Sequence, residues 1–187
     1  EGPKGQHIEL GISEMNLFML LGMLGLSDSH SGQKLIPIGT VYDPFVVRGL
    51  DSFVYGLYSG AKFIVAGTPS GITLAPEGGA HQSTITPSIG MELPGVVLFE
   101  PAYGQALDWL LCDAIGHVAG LREDPRPDLS TGELSYYFRL TTRSIDQSPF
   151  QRAKERLGEA ILRTQVLAGA YQLVDGRQTN LELSDDS

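Results

Sequence analysis

The sequence predicts an α/β domain, a mostly parallel sheet flanked by helices in three layers. Two observations carry this reading. Short apolar runs bounded by glycine recur along the chain, Ala61 to Gly67 (AKFIVAG) and Gly95 to Glu100 (GVVLFE) being the clearest. Both are continuous rather than alternating, and Ala61 to Gly67 reads as a fully buried strand of the parallel kind. Longer helix-compatible stretches separate them, and strands alternating with helices indicate a layered domain with a parallel sheet.

Taken in order, the first element is a helix from Gly11 to about Leu26. Met15, Leu17, Phe18, Met19, Leu20, Leu21, Met23 and Leu24 leave it almost no polar face, so it is expected to be covered on all sides. Ser27 to Lys34, rich in Ser, Asp and Gly, reads as a loop, and Leu35 to Gly39 as a short buried strand. Pro44 suits the first turn of a helix, where its missing N–H costs nothing, and Gly60 is a fitting stop. Ala61 to Gly67 is the second strand, followed by a Gly/Pro-rich loop from Thr68 to His81. Gly95 to Glu100 is the third strand, Gln105 to Leu121 a helix and Leu134 to Thr142 (LSYYFRLTT) the fourth strand. Arg122 to Gly132 reads as a charged surface loop. Pro149 to Ala168 reads as a helix with Leu157, Ile161, Leu162 and Val166 on its apolar side. The expected domain spans 5–176, with a polar tail or linker over 177–187.

Composition narrows the function classes. A chain of 187 residues with 42% apolar residues can bury one good core. Its net charge of -9, with no run of Lys or Arg, argues against nucleic acid or an anionic membrane as partner. The longest apolar run, Leu17 to Leu26, is far short of the roughly 20 residues that a membrane span needs. Cys112 is the only cysteine, which excludes an internal disulfide and a cysteine-built zinc site and fits a reducing, cytoplasmic setting. The first residues carry neither an initiating Met nor a signal pattern, so the sequence is expected to be a piece of a longer protein.

Chemistry enters at Glu14, in the phrase Glu9-Leu10-Gly11-Ile12-Ser13-Glu14-Met15-Asn16. A carboxylate in the first turn of a helix has a local reason to be there, the positive end of the helix dipole. The phrase also resembles the segment that places a glutamate beside the cofactor in thiamine-diphosphate enzymes of the transketolase and homodimeric pyruvate dehydrogenase family. The resemblance implies that Glu14 hydrogen-bonds the aminopyrimidine ring, favouring the imino tautomer that activates the thiazolium carbon. A carboxyl in that role must share or donate a proton, work suited to a dry pocket.

Further phrases fall in the family's order. Thr40-Val41-Tyr42-Asp43-Pro44-Phe45 lies where the family sets aromatics against the cofactor, with Phe45 implied to stack on the pyrimidine and Tyr42 nearer the thiazolium. As residues alone, both also suit a core at a helix start. Arg48 and Asp51, one turn apart, resemble a charged pair of pyruvate dehydrogenase relatives and equally suit a surface ion pair. Pro76-Glu77-Gly78-Gly79-Ala80-His81-Gln82-Ser83 is similar to the family's glycine loop ending in His-Gln or His-Glu. That likeness implies that His81 helps bind substrate or shuttles protons. The chain departs from the pattern at Gly78, where transketolases place an aspartate, and at Thr84 and Thr86, near where pyruvate dehydrogenase relatives carry further histidines. Phe99-Glu100-Pro101 resembles a strand-to-helix step, and Tyr136 to Thr142 the following strand of the pyruvate dehydrogenase type. The likeness covers about Gly5 to Gly176 and is strongest from Gln6 to Ala106. His7, His30 and His117 read as exposed or structural, and no two histidines have metal-site spacing.

The resemblance implies thiamine diphosphate and Mg2+ as cofactors and a thiamine-diphosphate-binding fold of the pyrimidine-binding type. The Gly-Asp-Gly motif that holds diphosphate and metal in the family does not occur in this sequence. Both would then be bound by a domain absent from this chain, on a complementary subunit or across a homodimer. The function so implied is the cofactor-activating part of a 2-oxoacid dehydrogenase, with a lipoyl-bearing acyltransferase as candidate partner. The alternatives are a transketolase acting on ketoses, or a non-catalytic module that keeps the fold to bind a partner.

Overall fold

The computed structural model describes residues 2, 4–121 and 134–176. Four strands form one sheet: β1 (Ile38–Val41), β2 (Ile64–Gly67), β3 (Val96–Phe99) and β4 (Ser135–Arg139). Their order is β1-β2-β4-β3 and every pairing is parallel, with Ile64 opposite both Ile38 and Tyr136. Helices flank the sheet, as the alternation of strand and helix predicts. The inner strand β4 is buried along its whole length, whereas the edge strand β1 alternates between exposed and buried residues. A strand covered on both faces has no solvent side to mark with polar residues, and an edge strand does.

Successive strand side chains point to opposite faces, so β4 supplies two cores at once. On one face Tyr137 meets Phe53 of α3 (Leu50–Tyr58) edge-on at 6.3 Å, and Phe53 stacks on Phe18 of α1 (Glu14–Gly25) at 4.7 Å. Leu21, Val41, Val46, Phe63, Val65 and Ile89, the last from α4 (Thr86–Glu92), complete that cluster. On the other face Tyr136 stacks on Phe99 at 6.3 Å, and on His117 at 5.9 Å, near the end of α5 (Gly104–Val118).

The chain divides into two compact units, Glu1–Glu100 with Ala114–Thr142 and Pro101–Asp113 with Arg143–Ser187. The sheet belongs to the first. In the second, Phe150 of α6 (Ser148–Leu157) is ringed by Tyr103, Trp109 and Tyr171 at 5.2, 5.8 and 5.5 Å. Gly158, at φ 82°, separates α6 from α7 (Glu159–Leu167).

Several elements differ from the sequence expectation. The stretch expected as one helix from Pro44 begins as a 3-10 segment, Asp43–Gly49, and becomes α-helical only at Leu50. Ser27–Ser31 forms a short helix, α2, where a loop is expected, and the Thr68 to His81 loop holds two 3-10 segments, Gly71–Glu77 and Gly79–His81. The helix expected from Pro149 to Ala168 is broken at Gly158, and Ile161 faces solvent while Leu162 and Val166 are buried. The expected 122–132 loop and 177–187 tail lie outside the described residues.

The largest difference is in α1. Phe18, Leu21 and Gly22 are buried, yet Met15, Met19 and Met23 stay 39%, 59% and 59% exposed. They line a groove of about 500 Å3 with Asp51 and Tyr55 of α3. Among the described residues the expectation of cover on all sides therefore fails, because α3 and the sheet reach only one side of the helix.

Candidate functional site

In a parallel sheet the carboxyl ends of the strands open towards one side, and ligands of such folds bind there. Tyr42 and Phe45 follow β1, His81 lies in the segment after β2, Glu100 follows β3 and Arg139 ends β4. All belong to the first unit.

Three of the four residues singled out from the sequence meet directly, and the fourth, Glu14, joins them through Arg48. The Tyr42 and Phe45 rings meet edge to face at 5.1 Å, and the His81 imidazole stands 6.0 Å from Tyr42 and 5.7 Å from Phe45. The Arg48 guanidinium lies over the Phe45 ring at 3.6 Å from its centre and faces the Glu14 carboxylate at 3.8 Å. Glu14 is 13% exposed at the start of α1, and Arg48 is half exposed. Glu14, Arg48, Phe45, Tyr42 and His81 thus form one continuous array.

Local sequence explains each position. Pro44 at the start of the 3-10 segment fixes a tight exit from β1, which brings Tyr42 and Phe45 to the same side. Gly49 allows the end of that segment to touch α1. A Cβ there would overlap Phe18 Cδ2 and fall 2.7 Å from the Glu14 carbonyl oxygen. Gly78, at φ 84°, turns the chain into the 3-10 segment that ends at His81, whose N–H donates to the Gly78 carbonyl at 3.1 Å.

Two partners of this array escape sequence reasoning. Glu77 accepts a 2.5 Å hydrogen bond from the Tyr42 hydroxyl. That bond, with some loss of hydration and the nearby negative charge, pushes the phenol up to about 12 from its ordinary 10.0. Arg48 pairs with Glu14 and not with Asp51, which instead lines the α1 groove. No sequence spacing announces either contact, since 35 residues separate Tyr42 from Glu77.

Beside the array lies a polar cluster that is buried except at Glu100, whose side chain is half exposed. Asp43 is fully buried, and its carboxylate accepts from Thr86 Oγ1 at 2.7 Å, from Arg139 Nε at 3.3 Å and from the Tyr137 hydroxyl. Burial first, and then the Asp43 charge, push the Tyr137 phenol far above its ordinary range. Arg139 completes its fork with Glu100 at 2.7 Å and with the carbonyl and hydroxyl of Ser83 at 3.2 and 3.1 Å. A signal for Arg139 exists in the sequence: a charge inside the run SYYFRLTT is rare in a strand covered on both faces unless it is paired.

Among the described residues, no group of three or more His, Cys, Asp or Glu side chains could hold a metal ion. His7 and His30 are exposed and stand apart from the array, whereas His117 stacks on the other face of the sheet. Among the described residues, no helix is long and apolar enough to cross a membrane. No family model matches the chain, and a search of curated proteins returns no match.

Proposed function

We propose that this chain is the cofactor-activating, pyrimidine-binding part of a thiamine-diphosphate enzyme of the cytoplasm, in the manner of the first component of a 2-oxoacid dehydrogenase. The observation that carries the reading is the convergence of Tyr42, Phe45 and His81 after the carboxyl ends of β1 and β2, with Glu14 joined to them through Arg48. The residues suit the pyrimidine end of the cofactor: a largely enclosed carboxylate, a flat aromatic face and a polar rim. They do not suit its diphosphate and Mg2+, for which the described residues offer no acidic cluster. A second domain or subunit supplies that end.

When bound, the cofactor contributes the carbanion-stabilising chemistry, and the protein contributes position and proton management. Glu14 would hold the pyrimidine ring nitrogen and exchange a proton with it. Phe45 would stack on the ring once Arg48 yields the face it covers or the opposite face is used. His81, against both aromatics, would move protons at the substrate oxygen. Tyr42, kept protonated by Glu77, remains a hydrogen-bond donor across the working pH range.

The test is to combine the chain with its diphosphate-binding partner and measure thiamine-dependent decarboxylation of 2-oxoacids. Glu14→Ala should lower turnover by about two orders of magnitude or more. Wild-type turnover in that variant sinks the reading. The chain alone, titrated with thiamine diphosphate and Mg2+, should bind weakly, and tight metal-dependent binding would refute the split site.

A further inference from the structure

The chain carries an ion pair that the proposed chemistry does not use. Asp43 and Arg139 are 0% and 3% exposed at the side chain, with Nε and Oδ2 3.3 Å apart. A buried pair of this kind is a poor source of stability, since removing two charges from water costs as much as their attraction returns, and well-packed apolar residues often serve as well or better. Its reason is better sought in what it holds.

Asp43 follows Tyr42 directly and precedes Phe45 by two residues, on the turn leaving β1. Arg139 reaches from β4 past the last residue of β2, Gly67, where a Cβ would overlap Asp43 Oδ1. The far end of the guanidinium grips Ser83, two residues beyond His81, through both its carbonyl at 3.2 Å and its hydroxyl at 3.1 Å. The Ser83 hydroxyl also accepts from the Gly71 N–H at 3.0 Å, at the opposite end of the segment that carries His81. Thr86, donating to Asp43 at 2.7 Å and accepting from Arg139 Nε at 3.1 Å, closes the ring. One planar fork therefore joins the turn bearing Tyr42 and Phe45 to the segment bearing His81. A lysine ammonium also has three donors but lacks the planar fork that sends Nε to Asp43 and Thr86, one terminal nitrogen to Glu100 and the other to Ser83.

We infer that Arg139 is a positioning residue: through Asp43 and Ser83 it sets the distance of the His81 ring from the Tyr42 and Phe45 rings. The catalytic consequence rests on the proposed role of His81. The geometric one does not.

The experiment uses the full chain, with carbon-labelled aromatic rings, in three forms: wild type, Arg139→Lys, and the double variant Asp43→Leu/Arg139→Met, which removes both buried charges and leaves only the half-exposed Glu100 without its partner. Circular dichroism reports folding. Nuclear Overhauser contacts between His81 and the Tyr42 and Phe45 rings report position. In any folded variant these contacts should weaken several-fold or vanish, and unchanged contacts overturn the proposal. Should both variants unfold, the wild type still decides: its Arg139 Nε–H is expected to exchange slowly with solvent, and rapid exchange overturns the clamp. In the complete enzyme, kcat should fall by about 100-fold while substrate KM changes little. Equal loss through KM alone would mean that Arg139 does not position the proton-transfer group. Absence of thiamine-dependent turnover in the wild type would remove the functional reading and leave the ring contacts to decide the positioning.

Discussion

The Glu14 carboxylate and the Arg48 guanidinium face each other at 3.8 Å, across the junction of α1 with the 3-10 segment that follows β1. The same guanidinium covers one face of Phe45. Because Arg48 is half exposed, water and salt screen both interactions. Arg48→Gln should therefore cost no more than about 1 kcal/mol of stability in urea denaturation. A loss of several kcal/mol would mean that the pair is a structural strut and not a mobile cover over the aromatic face.

Gly49 makes this junction possible by lacking a side chain. Its φ of -111° is open to any residue, so the requirement is purely steric. In Gly49→Ala the new methyl would meet the Phe18 ring and the Glu14 backbone, neither of which can retreat without moving α1. A destabilisation of about 1–3 kcal/mol is expected, read as a lower melting temperature. An unchanged melting temperature would contradict this close approach of α1 to the 3-10 segment.

The parallel sheet was legible chiefly because the inner strand β2 declares itself: AKFIVAG needs no tertiary context to be read as a covered run. α4 was not legible. Its sequence TPSIGME has weak helix formers, and what supports it is distant, with Ile89 buried in the core and Thr86 bonded to Asp43. The site divides in the same way. Glu14, Tyr42, Phe45 and His81 stand in recognisable phrases, whereas Glu77 and Ser83, though inside the phrase that holds His81, gain their importance from partners 35 and 56 residues away. Helical spacing pairs Arg48 with Asp51, whereas in the structure Arg48, at the end of the 3-10 segment, faces Glu14 at the start of α1.

The buried phenol of Tyr137 gives the fold an alkaline limit. In the unfolded chain it ionises near pH 10, whereas burial and the Asp43 carboxylate hold it protonated in the fold well beyond that. Stability from this source is complete below about pH 10 and is lost as pH rises towards the folded-state value, because only the unfolded chain then releases the proton. Urea midpoints measured from pH 8 upwards should fall beyond pH 10. Tyr137→Phe should be less stable at neutral pH, since Asp43 loses a donor, but should show a flatter alkaline decline. An equally steep decline in that variant would move the alkaline limit to another group.

Two neighbours in α1 test how one-sided its packing is. Phe18 is fully buried against Phe53, while Met19, the next residue, is 59% exposed in the groove beside Tyr55. Phe18→Ala removes a ring that the close-packed cluster cannot replace and should cost about 3–5 kcal/mol. Met19→Lys keeps an aliphatic stem along the groove, sends its charge to water and should stay within about 0.5 kcal/mol of wild type. Urea denaturation of both variants checks the pair. If Met19→Lys approaches the cost of Phe18→Ala in dilute solution, the methionine face is covered under those conditions, and a dependence of that cost on protein concentration would identify the cover as a second molecule.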